Sequence, residues 1–162
     1  MPKSLLSPEV KACLDEAVHA ELYAANLYKH LANQLQRLGY FGAQRFFLAE
    51  SASELEHYQI HANYQNDSGT VASIPAIEAM DEPIGTLRDA IEAAYDTELQ
   101  LEKDYIRWYS ACAKDPVTAE FLLQFLRGQR KSVGEYGDLL ARLDLAGDDR
   151  AALMQIDNKL GK

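Results

Sequence analysis

Apolar residues recur at intervals of three and four over four long stretches of this chain, the spacing that returns side chains to one face of an α-helix. The first stretch follows Ser7, Pro8 and Glu9, which read as an N-cap, a proline at the first helical position and an acid just inside. Its inward stripe is Leu14, Val18, Glu21, Ala25, Tyr28, Ala32 and Leu35, and the helix is expected over about 8–37. Gly39 and Gly42 predict a short turn, and a second helix follows over about 43–66. Residues 66–83, "NDSGTVASIPAIEAMDEP", lose the periodicity and are too long for a tight turn, which predicts a crossover. A third helix over about 84–114 carries the stripe Leu87, Ile91, Ala94, Glu98, Leu101, Tyr105, Trp108 and Cys112. Asp115 and Pro116 restart a fourth over about 116–146, with the stripe Leu122, Phe125, Gln129, Ser132, Tyr136, Leu139 and Leu143. A short fifth helix is expected over about 148–160. No stretch alternates like a strand and none repeats, so the pattern predicts an all-α four-helix bundle, a single domain over 1–162, with a long crossover between helices 2 and 3 and a short fifth C-terminal helix.

The polar residues that interrupt these stripes change the picture. Glu21 and Glu98 stand alone in the middle of apolar seams, and an amide, Gln129, does so on the fourth helix. The second helix contributes Glu54 and His57, an E-x-x-H pair near its middle, flanked one turn away by Glu50 and His61 on the same face. In a bundle of roughly equal helices, mid-helix positions fall at one height. Burying a carboxylate without a partner costs on the order of several kcal/mol, and no Lys or Arg lies on these stripes to neutralise the acids. Three glutamates and a neutral imidazole converging in this way need metal ions or protons. Oxygen-rich ligation with one His per ion suits iron or manganese, and bridging carboxylates suit a pair of ions.

The same residue types have ordinary readings elsewhere. Glu16 and His19 also form E-x-x-H, but off the apolar seam, where a solvated face is expected; Arg127, Arg130 and Lys131 read as a solvated edge of helix four. A buried Tyr28 would by default hydrogen-bond a neighbouring Glu. Gln129 could support a ligand without acting itself, and Glu50 and His61 could be ligands, transit positions or supports.

Composition narrows the class further. The 162 residues are 48% hydrophobic, enough for one core, and the net charge of −9 argues against nucleic acid and is compatible with attracting cations. No window approaches a membrane span, and Pro and charged residues interrupt the N-terminus before any leader-like apolar run forms. Cys13 and Cys112 are isolated in sequence and suggest no disulfide framework. The expectation is a soluble, unprocessed, cytoplasmic protein with no membrane or nucleic-acid partner.

Taken together, "AELYAANLY", "SELEHYQ", the third-helix Glu98, the fourth-helix Gln129, and "LDLAG" before a terminal helix ending "IDNKL" resemble the ferritins, specifically the non-haem, heavy-type subunit, over nearly the whole chain. The resemblance implies an iron-storage protein with a di-iron ferroxidase centre, built as a hollow homo-oligomeric 24-subunit shell in which the fifth helix makes four-fold contacts. It implies that Glu21, Glu54 and His57 form a first iron site, that Glu54 bridges, and that Glu98 serves the second iron. By the same likeness Gln129 orients bound water or oxygen, and Tyr28 donates an electron. Glu50 is a further candidate iron ligand. The substrates implied are Fe(II) and either dioxygen or hydrogen peroxide. The departures are informative: the fourth helix reads "RGQRKSVGEY", without the second E-x-x-H of bacterioferritins, and Leu55 stands where a haem-binding Met would be, so haem is not expected. Ser53, Gly128 and Ser132 replace the acids of the third iron site of many bacterial ferritins, and Ala119 and Leu122 replace the acids that line three-fold channels in animal heavy chains. Two other readings are a catalytically impaired shell whose buried acids are remnants, and another di-iron carboxylate oxidoreductase.

Overall fold

The computed structural model describes residues 3–162, so positions 1 and 2 of the expected domain lie outside the described residues. Five α-helices make up its regular structure: α1 (Pro8–Leu38), α2 (Phe41–Asp67), α3 (Leu87–Ala111), α4 (Pro116–Ala146) and α5 (Arg150–Leu160). Among the described residues there is no strand.

The helix ends follow local chemistry. Ser7 Oγ accepts from the Val10 amide at 3.2 Å, and the Asp115 carboxylate accepts from the Thr118 amide at 3.1 Å, each ahead of a proline at the first helical position. Gly39, at φ 91°, takes the left-handed conformation that closes α1, with its amide and that of Tyr40 folded back onto the Gln36 and Leu35 carbonyls.

Three boundaries differ from the sequence expectation. Gly42 lies inside α2, which starts at Phe41, and a Cβ there would come within 1.8 Å of the Asp157 carbonyl oxygen, so its role is close helix contact. Helix α3 starts at Leu87 because Thr86 and Asp89 form a reciprocal capping box, and it stops at Ala111 ahead of a turn into Asp115 and Pro116. Helix α5 starts at Arg150, where the Asp149 carboxylate accepts from the amides of Ala151 and Ala152.

Side-chain pairs fix the arrangement. Glu16 meets Trp108 and Tyr28 meets Glu98 across α1 and α3; Tyr28 meets Phe47 and Asp15 meets Gln65 across α1 and α2. Numbers rise on one helix as they fall on the other, so each pair is antiparallel. The pairs Glu50–Tyr136 and Tyr64–Thr118 set α2 against α4 in the same sense, and Arg88–Asp144 with Glu98–Gln129 do so for α3 and α4. Helices α2 and α3 are therefore parallel, which the chain achieves by crossing the length of the bundle. That crossover is pinned to α1 at both ends: the Ser73 amide donates to Asp15 at 3.0 Å, and the Ile84 amide donates to Gln34 at 2.7 Å. The stripes of α1 and α3 are buried from end to end, including Glu21 and Glu98.

Candidate metal centre

Each of the four long helices brings a polar side chain to the middle of the bundle. Glu21 comes from α1, Glu54 and His57 from α2, Glu98 from α3 and Gln129 from α4. Glu21, Glu54, Glu98 and Gln129 are buried, whereas the His57 side chain is 39% exposed. Sequence spacing set Glu54 and His57 equally inward; in the structure the His57 ring faces the site with one nitrogen and keeps an outer edge open, packing edge-on to Phe125.

One ligand atom each from Glu21, Glu54 and His57 lies within 4.8 Å of the others. His57 Nδ1 is 3.0 Å from Glu54 Oε2 and 3.5 Å from Glu21 Oε2. Glu21 Oε2 has no hydrogen-bond partner, although it is buried. Glu98 stands outside this close group. The Tyr28 hydroxyl donates to its Oε1, and Gln129 Nε2 donates to its Oε2 and, at 3.0 Å, to its backbone carbonyl. Glu50, half-buried one turn before Glu54, accepts from the Tyr136 hydroxyl at 3.2 Å.

The charges are poorly compensated. Burial, followed by the neighbouring Glu54 charge, pushes the Glu98 carboxyl up to about 7. Burial raises Glu54, with further upward pressure from Glu21, and burial raises Glu50. The neighbouring Glu21 and Glu54 carboxylates raise His57, so in the metal-free protein it holds a proton rather than standing neutral as the sequence suggested. An array of acids that retains protons for want of a cation is one that a divalent ion can enter by displacing them.

Two neighbours escaped the sequence reading as parts of this site, Tyr105 and Tyr136, which were legible only as core positions. For His61 the spacing leaves three roles open: ligand, transit position or support. Tyr105 donates its hydroxyl proton to Glu21 Oε1, and its oxygen lies 2.7 Å from His61 Nε2. His61 is fully buried, stacked on Phe125, and burial pushes it down to about 3, so its ring is neutral. The phenols of Tyr28, Tyr105 and Tyr136 are all raised, first by burial and then by nearby charges, and keep their protons. A usable signal for Tyr105 was its place two turns after Glu98 on the same stripe.

The ordinary readings also find places. Glu16 is at the surface, accepting from Trp108 Nε1 at 2.9 Å and paired with Arg107 at 2.8 Å, and His19 is exposed. Arg127, Arg130 and Lys131 are exposed, with Arg130 paired to Glu102. Leu122 is fully buried in the core and so presents no side chain to a channel. Cys13 and Cys112 are both free, and burial, then the Cys13 charge, pushes Cys112 up to about 12. Among the described residues no helix is long and apolar enough to cross a membrane.

A four-helix bundle with one long crossover and a carboxylate–imidazole cluster at mid-height defines a class of metal-handling helical proteins. The Ferritin-like domain family matches residues 11–146, and the chain belongs to that family. Among curated relatives it is 27% identical to a probable bacterial non-heme ferritin-like protein of Haemophilus influenzae, covering 97% of this chain and 96% of that protein. It is 26% identical to a bacterial non-heme ferritin of Bacteroides fragilis, covering 98% of this chain and 99% of the relative. Among solved structures, an open pore ferritin from Archaeoglobus fulgidus superposes with a TM-score of 0.93 over 96% of this chain and 98% of that one, at 23% identity, which speaks to the fold alone.

Proposed function

We propose that this chain is the subunit of a non-haem iron-storage ferritin that oxidises Fe(II) at the mid-bundle centre and holds the Fe(III) product as a mineral inside a hollow 24-subunit shell. The observation that carries the reading is the convergence of Glu21, Glu54 and His57 within 4.8 Å, with a bare buried oxygen on Glu21. A hard-oxygen set with one imidazole fits Fe(II) as substrate.

In this reading Glu21, Glu54 and His57 bind the first Fe(II), Glu54 is shared, and Glu98 serves the second Fe(II). The two ions each lose one electron, and dioxygen is reduced to peroxide or hydrogen peroxide to water. Gln129 orients the oxygen species beside Glu98, and Tyr28, bonded to that carboxylate, is an electron donor. Glu50 is a transient ligand between the centre and the cavity, held by Tyr136. The protein works in the cytoplasm without haem, since Leu55 offers no thioether, and purified protein should show no Soret band.

Size-exclusion chromatography followed by aerobic addition of Fe(II) tests the proposal. The expected results are a particle of about 430 kDa, 24 times the subunit's 18.1 kDa, and a rapid rise in Fe(III) absorbance. A small oligomer that leaves Fe(II) unoxidised would contradict it.

A further inference from the structure

Beside the centre lies a chain of hydrogen bonds whose polarity is fixed at every link. Tyr105 has one hydroxyl proton, and it points to Glu21 Oε1. The contact of 2.7 Å between the same hydroxyl and His61 Nε2 must then be donated by the imidazole. His61 Nδ1 has no partner, which agrees with a ring protonated on Nε2, because a buried N–H left unpaired would cost more than a bare lone pair. Nothing else in the hydrogen-bond pattern holds Glu21: Oε1 is taken by Tyr105, and Oε2 is bare and faces His57 at 3.5 Å.

We propose that Tyr105 and His61 are positioning residues that brace Glu21 so that it offers a metal ion one oxygen only, Oε2. This rests on the metal-binding reading above. Tyr105 ties up the second oxygen and sets the carboxylate plane. His61 in turn sets the hydroxyl rotor, because its Nε2 proton occupies one side of the phenol oxygen and leaves the phenol proton only Glu21 as acceptor. Packing locks both rings: Phe125 lies parallel to Tyr105 at 5.5 Å and stacks on His61 at 4.3 Å, and Trp108 meets Tyr105 edge-on at 5.0 Å. A brace of this kind acts on affinity, since a ligand free to rotate or chelate loses part of its binding energy in being ordered.

The test uses anaerobic titration of the full assembly with Co(II), read by visible absorbance and calorimetry, so that no oxidation is involved. Tyr105→Phe keeps the ring and removes the brace; its Co(II) affinity should fall roughly 10- to 100-fold with an altered d–d spectrum. A second pair guards against a fold effect. His61→Leu removes the donor to Tyr105 and should weaken Co(II) similarly, whereas His61→Gln restores a donor amide and should return affinity to within about threefold of the parent. A parent that binds Co(II) while Tyr105→Phe and His61→Leu bind it equally well would overturn the brace and leave the metal reading standing. A parent that binds no Co(II) would remove both.

Discussion

Two regions of this molecule bury carboxylates, and they do so on opposite terms. At the junction of α2 and α5, Asp157 is 2% exposed and accepts from the amides of Gly42 at 3.1 Å and Ala43 at 2.7 Å. The N-terminus of α2 has no cap of its own at Tyr40, so a side chain more than a hundred residues away completes it and meets the positive end of the helix dipole. At the bundle centre, Glu21, Glu54 and Glu98 are as deeply buried, but no Lys or Arg bonds them; they share phenols, an amide and one imidazole. Asp157 is an acid whose partners stabilise the fold. The centre is a set of acids held together by the fold against their own repulsion.

Breaking either region should therefore give different symptoms. The largest effect is expected from Glu54→Ala, which removes the carboxylate placed between His57 and the facing wall; fast Fe(II) oxidation in stopped flow should fall roughly 100-fold or more, with the assembly intact by size-exclusion chromatography. Asp157→Ala should do the reverse. Two buried amides lose their acceptor at about 1–3 kcal/mol each, so the thermal midpoint drops while oxidation per folded subunit keeps its parental rate.

A smaller effect is pH-dependent. Glu98, raised to about 7, holds in the folded apo-protein a proton that the unfolded chain has already released, so stability falls as pH rises through 7. The raised His57 acts in the same sense above 6.5, and the depressed His61 acts oppositely only below 6.5. Between pH 6.5 and 8 the apo-protein should lose stability, roughly 1 kcal/mol of it from Glu98, and thermal melts of Glu98→Gln should show that much less decline. The smallest effect belongs to the Arg130–Glu102 pair, whose arginine is exposed to solvent, and Arg130→Ala should leave both the melting temperature and oxidation close to parental values.

Much of this was legible in the sequence because helical periodicity is a strong signal and because an acid in an apolar seam has few innocent explanations. The stripes holding Glu21, Glu98 and Gln129 could be read residue by residue. What escaped depended on contacts between helices. The capping of α2 by Asp157 joins residues 114 and 115 positions apart, and it turned an apparent turn glycine, Gly42, into a point of helix contact. The Tyr105–His61 link to Glu21 spans three helices, and a tyrosine in a seam looks like core until its hydroxyl finds a partner. The partial exposure of His57 depends on ring orientation, which spacing alone does not determine.

The central claim is that the mid-bundle acids are kept for metal at the expense of stability, and Glu98→Gln tests it most directly. The side chain loses its charge and keeps its shape: the amide oxygen still accepts from Tyr28, and the new NH2 faces Gln129, whose amide turns its own oxygen to accept from it. Thermal melts of the parent and variant apo-proteins at pH 8, paired with stopped-flow absorbance after two Fe(II) per subunit, give both readouts. The account predicts an apo-protein as stable as the parent or more so, with rapid Fe(II) oxidation severely slowed. A destabilised variant that still oxidises Fe(II) at the parental rate would contradict it.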